Sequence, residues 1–196
     1  MKRAFDFTVS LLMLILLSPL FIIISIVIMF DAGRPVIFRQ YRVGKDNKLF
    51  FIYKFRTMKR GTRNAATEEL TESDSCITKS GRILRALSLD ELPQLINILN
   101  GSMSFVGPRP LIPEEKEIRQ LRKKYGVYSV KPGMTGLAQI NGRDTLDAEK
   151  KALFDKEYVE KQSFVLDMKI LFKTVSVVLK REGMSEGGEA DNSHSI

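Results

Sequence analysis

The sequence predicts an α/β fold of a particular kind. It reads as a monotopic membrane protein: a re-entrant N-terminal helix, a small mixed α/β globular domain and interfacial amphipathic helices. Three observations lead there. Val9 to Phe30 is a 22-residue run without a charge, interrupted near its middle by Ser18-Pro19. Residues 31–60 hold nine Lys or Arg against Asp31 and Asp46, a local surplus of seven in a chain of net charge +8. Beyond residue 60, helically spaced apolar stretches alternate with Gly/Pro-rich turns.

Length and composition bound the chemistry. A chain of 196 residues and 22.3 kDa is sized for one domain. The single cysteine, Cys76, excludes an internal disulfide and a Cys-rich zinc site. The single histidine, His194, stands in a Ser/Gly/Glu-rich tail, which argues against a catalytic triad, a His metal site or a His base. Carboxylates, Lys and Arg are left to carry any reaction. The basic segment fits anionic lipid headgroups or a phosphorylated ligand. Nucleic acid is the weaker match, because the basic run directly abuts an apolar membrane segment.

The apolar run comes first. At about 1.5 Å per residue it spans about 33 Å, enough for a bilayer core of about 30 Å. It is too long for a signal peptide and lacks an A-x-A-like cleavage site. Pro19 removes a helical N–H and leaves the Ile15 carbonyl without its usual partner, while the Ser18 hydroxyl can bond to a nearby carbonyl and favour a bend. Lys2 and Arg3 precede the run, and Arg34, Arg39, Arg42, Lys45 and Lys48 follow it. The positive-inside rule puts both flanks in the cytoplasm, so a broken helix that enters and leaves by one leaflet fits better than a span.

Residues 36–58 mix β-branched, aromatic and basic side chains around Gly44-Lys45-Asp46-Asn47 and read as a strand pair or hairpin. Residues 60–79 read as a surface loop. Gly81 to Asn100 has helical spacing, with Pro93 marking a second helix start. Residues 101–113 and 126–143 read as irregular, separated by a charged helix over Pro113 to Tyr125. Leu146 to Lys161 is a polar helix. Phe164 to Arg181 carries an apolar stripe (Phe164, Val165, Met168, Leu171, Phe172, Val175), which fits either a core-facing helix or one lying in the membrane interface.

Ser88-Leu89-Asp90-Glu91-Leu92-Pro93-Gln94-Leu95 stands out. Simple capping explains Asp90 and Glu91 if they begin the second helix, where N–H dipoles favour negative charge. A functional reading is also open. Adjacent carboxylates on a helix point about 100° apart, so one could attack phosphorus while its neighbour holds a divalent metal.

With these segments in order, the chain resembles the bacterial sugar transferases, the monotopic phosphoglycosyl transferases that load a polyprenol-phosphate carrier. The likeness runs to about residue 184. It rests on Ser18-Pro19, Tyr53-Lys54-Phe55-Arg56-Thr57-Met58, Gly81-Arg82-x-x-Arg85 and Leu89-Asp90-Glu91-Leu92-Pro93-Gln94. It continues through Met103-Ser104-Phe105-Val106-Gly107-Pro108-Arg109-Pro110 and Lys131-Pro132-Gly133, on to Asn141-Gly142-Arg143.

The resemblance implies transfer of a sugar 1-phosphate from a UDP-sugar to polyprenyl phosphate, releasing UMP, with Mg²⁺. It implies Asp90 as the nucleophile of a covalent phosphosugar intermediate and Glu91 beside it, with metal binding falling on Glu91 and Asp90. It maps phosphate contacts onto Arg85, Arg143 and Lys54, and another active-site acid onto Asp167. Arg109 receives no chemical step. The implied division is a re-entrant helix over 1–30, a catalytic domain over 31–184 and a disordered tail over 185–196. The implied place is the bacterial inner membrane, with the site on the cytoplasmic face and residues 31–60 against anionic lipids.

Competing readings are a direct ternary-complex transfer and a membrane-anchored interaction module. Galactose, glucose, N-acetylglucosamine and modified amino sugars all fit the implied UDP-sugar, because sugar contacts have no short motif here. No motif specifies an oligomeric state.

Overall fold

A computed structural model describes residues 1–59, 76–142 and 145–180. The proposed disordered tail, most of the surface loop and Arg143 fall outside the described residues.

Two helices open the chain, α1 (Lys2–Leu16) and α2 (Ser18–Asp31), and they meet at an angle of 62°. The break follows from the local sequence. Pro19 occupies the first turn of α2, where a missing N–H costs nothing. Ser18 Oγ donates to the Ile15 carbonyl at 2.8 Å, satisfying the acceptor that the proline strands. Among the described residues no single helix is long and apolar enough to cross a membrane, but this bent pair is by length and composition.

Each end of the pair is fastened to the rest of the protein. Lys2 Nζ pairs with Asp167 Oδ2 at 2.6 Å and donates to the Val106 carbonyl at 3.0 Å. Arg3 donates to the carbonyls of Ile98 and Leu99 at 2.6 and 2.7 Å. At the far end, Asp31 Oδ2 accepts from the Ser80 amide at 2.7 Å and its hydroxyl at 2.6 Å.

The expected hairpin is present. Strands β1 (Ile37–Val43) and β2 (Leu49–Phe55) pair antiparallel from Ile37 opposite Phe55 to Val43 opposite Leu49. Asp46 and Asn47 turn the chain with φ of 56° and 58°, values these two residue types tolerate. Helix α3 (Lys79–Ala86) follows, capped by Thr78 Oγ1, which accepts from the Gly81 amide at 3.0 Å. Then come α4 (Gln94–Asn100), α5 (Lys116–Lys124), α6 (Ala148–Glu160) and α7 (Phe164–Lys180).

The stretches read as irregular hold a second sheet. Strands β3 (Ser104–Val106) and β4 (Gly133–Thr135) run parallel, with Ser104 opposite Gly133 and Val106 opposite Thr135. With two two-stranded sheets in all, the mixed α/β domain is mostly helical.

The main core joins Ile52, Leu95, Ile98, Phe105, Tyr158 and Ile170, and Phe5, Val9 and Met13 of α1 pack against it. A second core sets Ile24 and Ile28 of α2 against Phe55 and Leu84, with Leu89 and Leu92 alongside. Leu95 and Ile98 are fully buried, each adding about 1.5–3 kcal/mol relative to exposure in water. One helical face of α1 and α2 is thus covered by the domain while Leu12, Ile15, Ile22 and Phe30 stay exposed. Helix α7 divides the same way: Ile170 and Val177 are buried, and Val165, Phe172 and Val175 are bare.

Candidate active site

Two segments deliver the candidate residues. On β2, successive side chains face opposite ways. Phe55 enters the second core and Lys54 reaches the other side. Asn97 of α4 fixes this strand: its Oδ1 accepts from the Tyr53 amide at 3.0 Å and its Nδ2 donates to the Phe51 carbonyl at 2.7 Å. A Cβ at Gly81 would run into the Thr57 carbonyl oxygen, so only glycine lets α3 lie this close to the chain beyond β2. Arg85, one turn on, donates to Thr57 Oγ1 at 2.9 Å.

Asp90 and Glu91 do not open a helix. Ser88 adopts a left-handed conformation (φ 54°) that ends α3, and Leu89–Glu91 forms a 3₁₀ turn. Pro93 fits only before or within a first helical turn, so α4 starts at Gln94. The setting of the two carboxylates therefore comes from side chains rather than from a helix dipole.

Glu91 is buried at 8% exposure, and its Oε1 accepts from Lys54 Nζ at 2.8 Å and from Arg109 at 3.4 and 3.5 Å. Asp90 accepts no direct hydrogen bond among the described residues. Burial pushes its carboxyl above the ordinary Asp range, and neighbouring Glu91 pushes the same way, while Lys54, Arg85 and Arg109 pull it down. Two like charges 4 Å apart repel by about 4 kcal/mol at an effective dielectric near 20. The cations on Glu91 are what make the adjacent pair tenable.

Further arginines back this cluster. Arg42 donates to Gln40 Oε1 at 2.7 Å and to the Pro110 carbonyl at 3.3 Å. Burial and the nearby Arg109 lower its guanidinium to about 10. Arg122 donates to the Arg109 carbonyl at 2.7 Å and pairs with Asp155 at 2.5 Å, both partners almost wholly buried.

Lys54, Arg85, Asp90 and Glu91 are thus assembled around one point. Asp167 belongs to another cluster: besides Lys2, its Oδ1 lies 2.8 Å from the Tyr158 hydroxyl, which is 3.0 Å from the Val106 carbonyl. Burial, with Asp167 next, raises the Tyr158 phenol above its ordinary range.

Sequence reading missed Asn97 and Arg122, named Arg42 only as part of the basic segment, and gave Arg109 no contact with Glu91. The Pro-Arg-Pro run flagged Arg109. Nothing local flagged Asn97, whose partners lie 44 and 46 residues away.

No group of three or more His, Cys, Asp or Glu among the described residues is arranged to hold a metal ion. Asp90, which accepts no direct hydrogen bond among the described residues, and Glu91, whose Oε1 already accepts from Lys54 and Arg109, are the carboxylates that would hold a Mg²⁺, an ion that commonly takes one or two carboxylates, several waters and substrate phosphates. Chemically, the cluster offers a carboxylate nucleophile in a cationic setting suited to a phosphorylated ligand.

Comparison with known proteins places the chain in a family. A family model described as bacterial sugar transferase matches residues 1–181. The chain is 44% identical over 182 residues to the UDP-glucose:undecaprenyl-phosphate glucose-1-phosphate transferase of Escherichia coli, covering 89% of this chain and 39% of that protein. It is 41% identical over 198 residues to the undecaprenyl-phosphate galactose phosphotransferase of Salmonella typhimurium, covering 93% and 41%. It is 42% identical over 192 residues to EpsL of Bacillus subtilis, an uncharacterized sugar transferase, covering 95% and 91%. The chain therefore spans about two fifths of the first and second of these relatives and nearly all of the third. With the family match running from the first residue past Asp90, Glu91 and Arg109 into α7, the chain belongs to the bacterial sugar transferase family.

Proposed function

We propose that the protein transfers a sugar 1-phosphate from a UDP-sugar to a polyprenyl phosphate such as undecaprenyl phosphate, releasing UMP. The observation that carries this is the Asp90–Glu91 pair ringed by Lys54, Arg85 and Arg109. A diphosphate is anionic and repels a carboxylate, so transfer at phosphorus requires cations around the nucleophile. Relatives named as glucose-1-phosphate and galactose phosphotransferases supply the substrate class.

The reaction runs in two displacements. An Asp90 carboxylate oxygen attacks the phosphorus bearing the sugar, the bond to the UMP oxygen breaks, and an aspartyl phosphosugar forms. A phosphate oxygen of the lipid then attacks the same phosphorus and restores the Asp90 carboxylate. Lys54, with Arg109, balances the charge of Glu91 and moderates that of Asp90. Arg85 and Arg143 hold phosphate oxygens. Glu91 and Asp90 would hold Mg²⁺, which supplies charge neutralisation on the diphosphate when bound. Asp167 is assigned a substrate contact on resemblance, against the two bonds that already engage it.

The re-entrant topology belongs to this reading. Lys2, Arg3 and Asp31 tie opposite ends of the α1–α2 pair to one globular body, which supports both ends lying on one side. Cationic flanks support that side being the cytoplasmic one, at the inner membrane of a bacterium. The bare faces of α2 and α7 suit contact with lipid, and residues 31–60 suit anionic headgroups.

The test is UMP release from a panel of UDP-sugars with undecaprenyl phosphate, together with intact mass after UDP-sugar alone. A mass increase of one phosphosugar, lost in Asp90→Asn, is expected. Full turnover with lipid but no adduct and no lipid-free UMP exchange favours direct ternary-complex transfer. No UMP release with any UDP-sugar overturns the reading.

A further inference from the structure

Residues 108–111 are held along their whole length. The Pro108 carbonyl accepts from the Gly133 amide at 2.9 Å, and that of Arg109 from Arg122 at 2.7 Å. The Pro110 carbonyl accepts from Arg42 at 3.3 Å, and that of Leu111 from the Val43 amide at 2.9 Å. Four successive carbonyls thus answer to β4, α5 and β1. Pro108 and Pro110 fix their own φ, and Pro110 restrains Arg109 to extended backbone. The peptide that carries Arg109 has little freedom left, while its side chain keeps much of its own. That side chain is 36% exposed and meets Glu91 only at 3.4 and 3.5 Å, against 2.8 Å for Lys54.

Arg42 is placed to aim it. With Gln40 it stands on the face of the β1–β2 hairpin that also carries Lys54. Its Nη2 is spent on Gln40 and its Nη1 on the Pro110 carbonyl, both neutral oxygens, and its Nε is buried without a partner. Arg42 forms no ion pair among the described residues, and Glu115, Glu91 and Glu114 attract it only through space. A partly desolvated cation with no acid of its own costs stability, and an apolar side chain of similar length avoids that cost. The charge has one evident use. Arg109, next in the chain to the carbonyl that Arg42 holds, is the like charge that acts on it most strongly. Repulsion from Arg42 and attraction to Glu91 push the Arg109 guanidinium the same way.

We infer that Arg42 is a positioning residue for Arg109: it anchors the Pro110 carbonyl and, as a cation without an acid partner, keeps the neighbouring guanidinium on Glu91. Its part in turnover rests on the transfer reaction proposed above.

A double-mutant cycle tests it. UMP release is measured with the full chain in nanodiscs, varying the UDP-sugar at saturating undecaprenyl phosphate. Arg42→Gln keeps a donor for the Pro110 carbonyl and loses the charge, so kcat/KM should fall about a hundredfold, the effect of displacing a site group by about 1 Å. Arg42→Lys keeps the charge and should restore most of that loss. In an Arg109→Gln background, Arg42→Gln should cost less than about twofold, because the group it aims is gone. Equal losses in both backgrounds overturn the inference, and so does a lysine variant as slow as the glutamine one. Arg42→Met replaces Arg42→Gln in the cycle should the latter not fold.

A second readout needs no turnover and decides the matter if Arg109→Gln is too slow to measure. With isotope-labelled arginine, the Arg109 Nε–H resonance is identified by its loss in Arg109→Gln. It should move in Arg42→Gln, as it does in Glu91→Gln, and stay in place in Arg42→Lys. An Arg109 signal indifferent to Arg42→Gln sinks the inference. A signal that moves in a protein releasing no UMP removes the reaction and leaves the positioning of Arg109 standing.

Discussion

Lys54 Nζ lies 2.8 Å from Glu91 Oε1, closer to the second carboxylate of the pair than either nitrogen of Arg109. One cation thus serves two acids. It cancels the charge of Glu91 directly, and through space it is the strongest influence holding down the Asp90 carboxyl that burial raises.

Replacing that cation should move the pH profile. In the proposed reaction Asp90 would attack as the anion, so activity should be lost as pH falls through its raised pKa, above the ordinary Asp value of about 3.9. Lys54→Met removes the pull and unmasks Glu91, so the acid limb of lipid-free UMP exchange should shift upward. A limb that stays in place separates Lys54 from the ionisation of Asp90.

Asp90→Asn should trade activity for stability. A carboxyl raised on folding binds its proton more tightly in the folded state than in the unfolded one. Its effect on stability is therefore absent at low pH and becomes unfavourable as pH rises through the raised value. At neutral pH the amide variant should melt above wild type, by about 2–4 °C per kcal/mol recovered, while exchange vanishes. A lower melting temperature at pH 7 contradicts the burial argument.

Glu91→Gln tests the metal. A neutral amide is a far poorer ligand for a hard cation, so turnover should require much more Mg²⁺ or cease. Undiminished wild-type rates in excess EDTA remove the ion from the mechanism.

The Arg122–Asp155 pair tests the support of Arg109. Asp155→Leu alone leaves Arg122 buried without its partner and should cost about 3–5 kcal/mol, whereas the double variant with Arg122→Met should recover most of it. Urea unfolding measures both. The double variant should still turn over more slowly than wild type, because the Arg109 carbonyl loses its donor.

Topology has its own test. With Cys76 replaced, single cysteines at the exposed positions Ala4 and Lys48 should both resist a membrane-impermeant thiol reagent applied to intact cells and react in inverted vesicles. Labelling of position 4 alone from outside means that the α1–α2 pair crosses the bilayer.

Local chemistry made parts of this molecule readable in its sequence. The break at Ser18-Pro19 depends on one missing N–H and one hydroxyl three residues from its acceptor. The hairpin depends on Asp46 and Asn47, both within the turn. The β3–β4 pairing was hidden because three-residue strands carry no periodicity, and what permits it is the backbone of Gly107 lying against that of Gly133. Likewise Lys54 and Arg85 were named as single basic residues near the acids. Their convergence with Arg109 depends on Asn97 gripping β2 across tens of residues, a distance at which spacing rules are silent.

The clasp between Lys2 and Asp167 joins residues 165 apart in the chain. A chain made from its N-terminus delivers α1 and α2 first, well before Ser80, Ile98 and Asp167 leave the ribosome. The helix pair must therefore wait with Lys2, Arg3 and Asp31 unanswered while the rest of the domain is still being synthesised. The domain closes last, around a helix pair already made. A nascent chain halted before residue 167 would hold Lys2 without its carboxylate partner.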